Sequence, residues 1–260
     1  MTDTALPTIE RPRRFHFDWV LPTLFKPRLA FERIANQTRA VWLTPLLILT
    51  ITSLISIYAH GWVRIQTGQI GQIETPPDFQ YYSPEQQAQF MQAAQAQQGP
   101  VFVYVLPAIG VIAKVWFGWL IIGGIIHLVM TLMGGRGATG AAMNVVAWAG
   151  LAYALRDVVQ IIYMLVKKAT IQSYGLSGFS PVGEGAFFLF INELLALIDI
   201  YLIWYVLLII VGVRAAGGLS RSKAIFSVVF TILGVTAIQA LVGMFAAQMG
   251  NISIVRPFFF

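Results

Sequence analysis

The sequence predicts an all-α membrane protein: a bundle of five transmembrane helices, with an N-terminal interfacial helix and a short extramembrane helix between spans one and two. Three observations predict it. Of 260 residues, 57% are hydrophobic and only 11% are charged, a balance far from that of soluble chains. Five apolar runs reach the roughly 20 residues needed to cross a hydrocarbon core. A single sizeable polar segment, roughly 62–100, interrupts them.

Taken in order, the chain divides into a cytoplasmic N-terminal segment, 1–40, and a five-span membrane domain, 41–260. The opening MTDTALPTIERPRRFHFDW has no apolar stretch between its charges and the first span, so it is not read as a cleavable signal. KPRLAFERIANQTR reads as a short interfacial helix. Pro27 suits its first turn, and Leu29, Phe31 and Ile34 can dip into lipid while Arg28, Glu32 and Arg33 stay wet. The spans are placed near Val41 to Gly61, Pro107 to Met133, Ala141 to Val166, Ala186 to Val213 and Ala224 to Gln248. Apolar residues from VFVYVL ahead of Pro107 lie in the interface or lengthen a tilted second span. Within the hairpin 62–100, SPEQQAQFMQAAQAQQGP begins with a Ser cap, Pro84 and Glu85 and stops at Gly99 and Pro100, which marks a short helix outside the membrane.

Orientation follows from loop charges. With the N-terminus inside, Arg11, Arg13, Arg14, Lys26, Arg28, Arg33, Arg39, Arg136, Arg214, Arg221 and Lys223 are cytoplasmic, and only Arg64, Lys167, Lys168 and Arg256 are outside. This excess of inner Lys and Arg places the N-terminus in the cytoplasm, and five spans then put the C-terminus outside. The formal net charge of +6 is explained in the same way. The basic residues are spread over several loops, so no nucleic-acid partner is expected.

Three stretches carry a family likeness. FKPRLAFERIA before the first span, LMGGRGATGAAMNVVAWAGLAYAL between spans two and three, and IWYVLLIIVGVRAAGGLSRSKAIFSVV from span four into span five resemble the Yip family, the Ypt- and Rab-interacting membrane proteins and their prokaryotic relatives. The resemblance implies a five-helix membrane domain with a cytoplasmic N-terminus. In eukaryotes it implies roles in vesicle traffic and GTPase recruitment, hence a GTPase as a partner class. The short N-terminal extension and the SPEQQ hairpin look like those of bacterial members. For them the resemblance implies an inner-membrane protein with a scaffolding, assembly or transporter-accessory role.

Ionisable residues inside spans are costly and are the natural functional candidates. They are Lys114, Arg156, Asp157, Glu193 and Asp199, with His127 and Asn192 as polar company. Counted from the inner ends of their spans, Arg156 and Asp199 both lie about 21–22 Å deep at about 1.5 Å per residue. Lys114 and Glu193 match each other nearer the outer face, and Asp157 is left as the odd charge. Salt bridges registering adjacent helices are the expected role, because oppositely charged groups at one depth satisfy each other. A polar path for a proton, ion or small solute is the alternative.

Other motifs carry less. The turn Gly134, Gly135, Arg136, Gly137 could cradle an anion on its amides, but it lacks the Gly-Lys-Ser/Thr ending of a nucleotide loop and reads as a tight cytoplasmic turn. GLSG around Ser177 matches a short string of intramembrane proteases that require a later His. The last His here is His127, so that reading is rejected. His16, His60 and His127 show no metal-ligand spacing, and cysteine is absent. No metal, cofactor or catalytic residue is therefore expected. The function read from the sequence is a non-enzymatic scaffold, assembly factor or integral subunit of a larger membrane complex. Its partners are the lipid bilayer and either a membrane protein or further copies of the chain. The alternative is a small transporter or transporter-accessory component using the buried charges.

Overall fold

A computed structural model describes residues 13–37, 39–68, 75–76, 78–183 and 185–252. Arg11 and Arg256 of the charge tally, and the chain's last residues, lie outside the described residues. The elements run α1 (Val20–Phe25), α2 (Pro27–Ala35), α3 (Leu43–Gln66), α4 (Pro84–Gln97), α5 (Leu106–Leu132), α6 (Thr139–Ala149), α7 (Leu151–Lys167), α8 (Ala186–Leu197), α9 (Ile200–Gly217) and α10 (Arg221–Ile252). Among the described residues, five helical units are long and apolar enough to cross a membrane: Leu43–Gln66, Val101–Leu132, Thr139–Lys167, Ile200–Gly217 and Arg221–Gln248. The turns α5–α6 and α9–α10 lie together at one end of the bundle, here the turn end. The hairpin with α4 and the loop 168–185 lie at the other, the hairpin end.

The first span is the shortest of the three that precede α8. It has 24 residues, against 32 for Val101–Leu132 and 29 for Thr139–Lys167. It runs alongside α7, with Leu49 against Gly150, Ser53 against Asp157, and Ala59 and Val63 against Met164. Its start therefore falls short of the turn end, and α2 fills the space below it. Phe31 and Ile34 are 0% exposed and pack in the main core with Val145, Trp148, Ile209 and Val213. This corrects the expectation that both face lipid: the apolar side of α2 has a protein slot to fill, floored by Gly212, where a Cβ would collide with Val145 and Phe31. Leu29 does stay exposed. The connection from α2 to α3 is tied down by α6. Asn144 Oδ1 accepts from Val41 N at 2.9 Å, Asn144 Nδ2 donates to Arg39 O at 3.2 Å, and Trp148 Nε1 donates to Val41 O at 3.1 Å.

The extramembrane helix forms as its punctuation dictates. Ser83 and Gln86 make a reciprocal capping box, Pro84 occupies the first turn, and the helix stops before Gly99. Val101–Val105 follows as a π-helical turn and lengthens the second span. Trp42, Trp116 and Trp119 cluster where α3 begins, with Trp42 and Trp119 ring centroids 4.7 Å apart. At the turn end, Gly134 takes φ +86°, the Gly135 amide donates to Met130 O, and the Arg136 amide donates to Gly217 O. Lys223 Nζ closes the turn on Met133 O at 2.8 Å.

The largest departure from the sequence reading is in span four. The single run Ala186 to Val213 is two helices, because Asp199 breaks it. A carboxylate among apolar residues competes for backbone donors. Its Oδ1 accepts the Leu202 amide at 2.7 Å and starts α9 afresh. The 12 residues of α8 rise only about 18 Å and do not cross alone.

Asn144→Ala leaves the Val41 amide and the Arg39 carbonyl without partners. We expect a loss of about 1–3 kcal/mol, read by denaturant unfolding in micelles, with faster tryptic cleavage after Arg28 and Arg33. Unchanged cleavage would show that this tie does not hold the N-terminal segment.

Candidate functional site

The break between α8 and α9 creates the site. In hydrocarbon every backbone donor and acceptor needs a partner, so a broken helix persists only where protein supplies them. Asp199 serves the start of α9. The end of α8 is served by the loop 168–185, whose Leu176 amide donates to Leu195 O at 2.9 Å. This approach requires a glycine: Gly175 has φ +53°, and a Cβ there would sit 2.6–2.7 Å from the carbonyl oxygens of Leu195, Ala196 and Ile198.

Arg156 of α7 reaches the break. Its Nη1 is 3.5 Å from Asp199 Oδ2 and its Nη2 is 3.8 Å from Asp157 Oδ1, while its guanidinium lies 4.8 Å from the centre of the Tyr153 ring. Tyr153 in turn packs on Tyr205, with centroids 4.9 Å apart. Asp157 is held mainly from span one: Ser53 Oγ donates to its Oδ2 at 2.5 Å and Thr52 Oγ1 does so at 3.4 Å. Tyr174, in the covering loop, feels both burial, which pushes its phenol pKa above the ordinary value, and the Arg156 cation, which pulls the other way. Lys114 of α5 lies within the electrostatic field of Arg156 and Asp157 and remains exposed.

The five intramembrane charges thus sort differently from the depth-matched expectation. Arg156, Asp157 and Asp199 form one group, with Lys114 of α5 near enough to feel Arg156 and Asp157, so Asp157 is not the odd charge. Lys114 and Glu193 do not pair. Among the described residues the ion pairs are the two made by Arg156. Glu193 instead points at α10, where a Cβ on Gly243 would meet its Oε2 at 2.7 Å. Residue counting gives depth but not the direction a side chain takes around its helix, and the break at Asp199 turns α8 toward α10.

Ser53, Thr52, Tyr153, Tyr174 and Tyr205 were not singled out from the sequence. Tyr153 had a readable signal, since it precedes Arg156 by one helical turn and so shares its face. Thr52 and Ser53 sit in an apolar run where hydroxyls commonly satisfy their own helix, and only the packing of α3 on α7 shows their target.

At the turn end the amides of Gly135 and Arg136 bond to protein carbonyls, and Gly137 packs against Ala216 and Gly217. The turn joins two helix ends and offers no anion cradle from those amides. Ser177 Oγ donates to Tyr174 O within its own short turn. His127 meets Thr139 Oγ1 at 3.1 Å. Among the described residues no three His, Cys, Asp or Glu side chains gather as metal ligands.

Fold and site together define a polytopic α-helical integral membrane protein that carries a charge-balanced cluster at a discontinuous span. Residues 22–244 match the Yip1 domain, and the chain belongs to that family. The match begins within α1, so it includes the α2 segment packed under the first span. No curated protein and no solved structure matches the chain.

Coupling across the break is measurable. Asp199→Asn keeps an oxygen to cap Leu202 while removing the charge. We expect Arg156→Ala and Asp199→Asn each to destabilise, and the double variant to lose less than the sum by roughly 0.5–3 kcal/mol. Strict additivity in thermal unfolding would exclude an energetic link.

Proposed function

We propose that this Yip-family protein is non-enzymatic and works through contacts with other membrane proteins, as a scaffold, assembly factor or integral subunit of a larger complex. One observation carries the reading: polar side chains inside the bundle are used to tie its own helices. Asn144 and Trp148 fasten the α2–α3 connection, Trp119 Nε1 donates to Met143 O, Ser53 holds Asp157, and Asp199 caps α9. No nucleophile stands beside a base in this set. An ordered bundle with an apolar outer face is suited to lateral association, where close packing supplies the attraction. Exposed Ile225, Phe226, Phe230 and Leu233 line one face of α10. We propose a bacterial inner membrane as its location, with the turn end and the N-terminus in the cytoplasm, a reading that the excess of Lys and Arg in those loops supports. Family membership adds a GTPase to the partner classes to be looked for.

A second reading, a transporter or transporter-accessory component, is favoured by the break itself. Discontinuous spans flanked by charge commonly form solute sites in membrane transporters.

The absence of cysteine makes single-cysteine reporting simple. We expect a cysteine at Gln87 to be labelled by an impermeant maleimide on intact cells; protection would reverse the orientation. We expect purification in mild detergent to retain a stoichiometric membrane partner. A solitary monomer, together with labelling of a cysteine at Ile198 from the aqueous side, would favour the transport reading instead.

A further inference from the structure

The two cations of the cluster are not fully used by the two carboxylates. The contacts of Arg156 at 3.5 and 3.8 Å are longer than the roughly 2.7–2.9 Å of a charge-assisted hydrogen bond. Its Nε is buried with no acceptor. The carboxylates have other partners, Asp157 in Ser53 and Thr52 and Asp199 in the Leu202 amide. Lys114 makes no ion pair among the described residues. A guanidinium and an ammonium with free donors inside a membrane protein are unfavourable unless an anion meets them. Together they offer more donors than two carboxylate edges accept.

The surface beside Lys114 is shaped to admit such an anion with an apolar tail. Gly110 and Gly118 flank Lys114 one helical turn to either side, and a Cβ at either position would meet nothing. They leave an open strip on α5, bordered by exposed Phe117 and Ile121. The geometry points to a phosphate-binding site formed by Lys114 and Arg156, with the open strip of α5 receiving the acyl chain of a phospholipid. This assignment goes beyond the partner-binding reading and holds whether or not a solute crosses the membrane.

The test uses the full chain, stripped of lipid in a neutral detergent, and three probes: short-chain phosphatidylglycerol, diacylglycerol of the same chain length, and inorganic phosphate. The midpoint of thermal unfolding is followed against probe concentration. Phosphatidylglycerol should raise it and diacylglycerol should not. Lys114→Gln removes no internal ion pair, so it should fold, and it should weaken the response about tenfold or more, the scale of one charged hydrogen bond. Lys114→Arg should keep the response, and Arg28→Gln, an exposed cation on α2, should leave it unchanged. Gly118→Leu fills the strip at a position where an added Cβ meets nothing within 4 Å, and should weaken phosphatidylglycerol alone. Equal stabilisation by inorganic phosphate, with Gly118→Leu silent, would keep the phosphate site and assign it to a free anion. Equal stabilisation by diacylglycerol, no effect of Lys114→Gln, or no response to either phosphate probe would overturn the site.

Discussion

Hydrocarbon offers no partner to a bare peptide group, and that constraint organises this protein at the point where it is hardest to meet, Asp199. One carboxylate both ends an apolar run and repairs the damage, capping α9 with one oxygen and facing Arg156 with the other. The loop 168–185 exists in its observed form because the other side of the break also needs donors, and Gly175 is there because only glycine lets the loop come close enough. Arg156 brings α7 to the break, and Asp157 beside it brings α3 through Ser53. Three spans are thereby registered by interactions that trace back to one backbone interruption.

The turn end follows a different logic. It is the dry part of the molecule, where α2, α6, α9 and the start of α10 share a core of Phe31, Ile34, Trp148, Ile209 and Val228. The hairpin end is looser: α7 packs on α3 while Val158, Val159, Ile162 and Tyr163 remain exposed, and none of the residues of α8 is buried. A closed end and an open end joined at a charged cluster give the bundle one rigid half and one half with room for lipid or a neighbouring helix.

Much of the architecture was legible because it rests on local chemistry. Apolar runs marked the spans, Ser83 with Pro84 and Gly99 with Pro100 bounded the extramembrane helix, and Pro27 opened α2. What was not legible depends on direction and company. The amphipathic face of α2 reads the same whether lipid or protein covers it, and only the shortness of α3 and the small size of Gly212 decide for protein. Asp199 reads as a charge in a span, and its capacity to break the helix became visible only with the Leu202 amide and the returning loop in place. Depth counting put Arg156 and Asp199 at one level, where they lie 3.5 Å apart, but it could not tell that Glu193 faces α10.

The slot beneath the first span sets an order of events. Its walls are Val145 of α6 and Gly212 of α9, so the place for Phe31 does not exist until nearly the whole chain has entered the bilayer. A segment made before any of the five spans is therefore seated only after four of them are made. On that segment Phe17, Leu21, Phe25 and Leu29 are turned outward, apolar side chains that can rest on lipid.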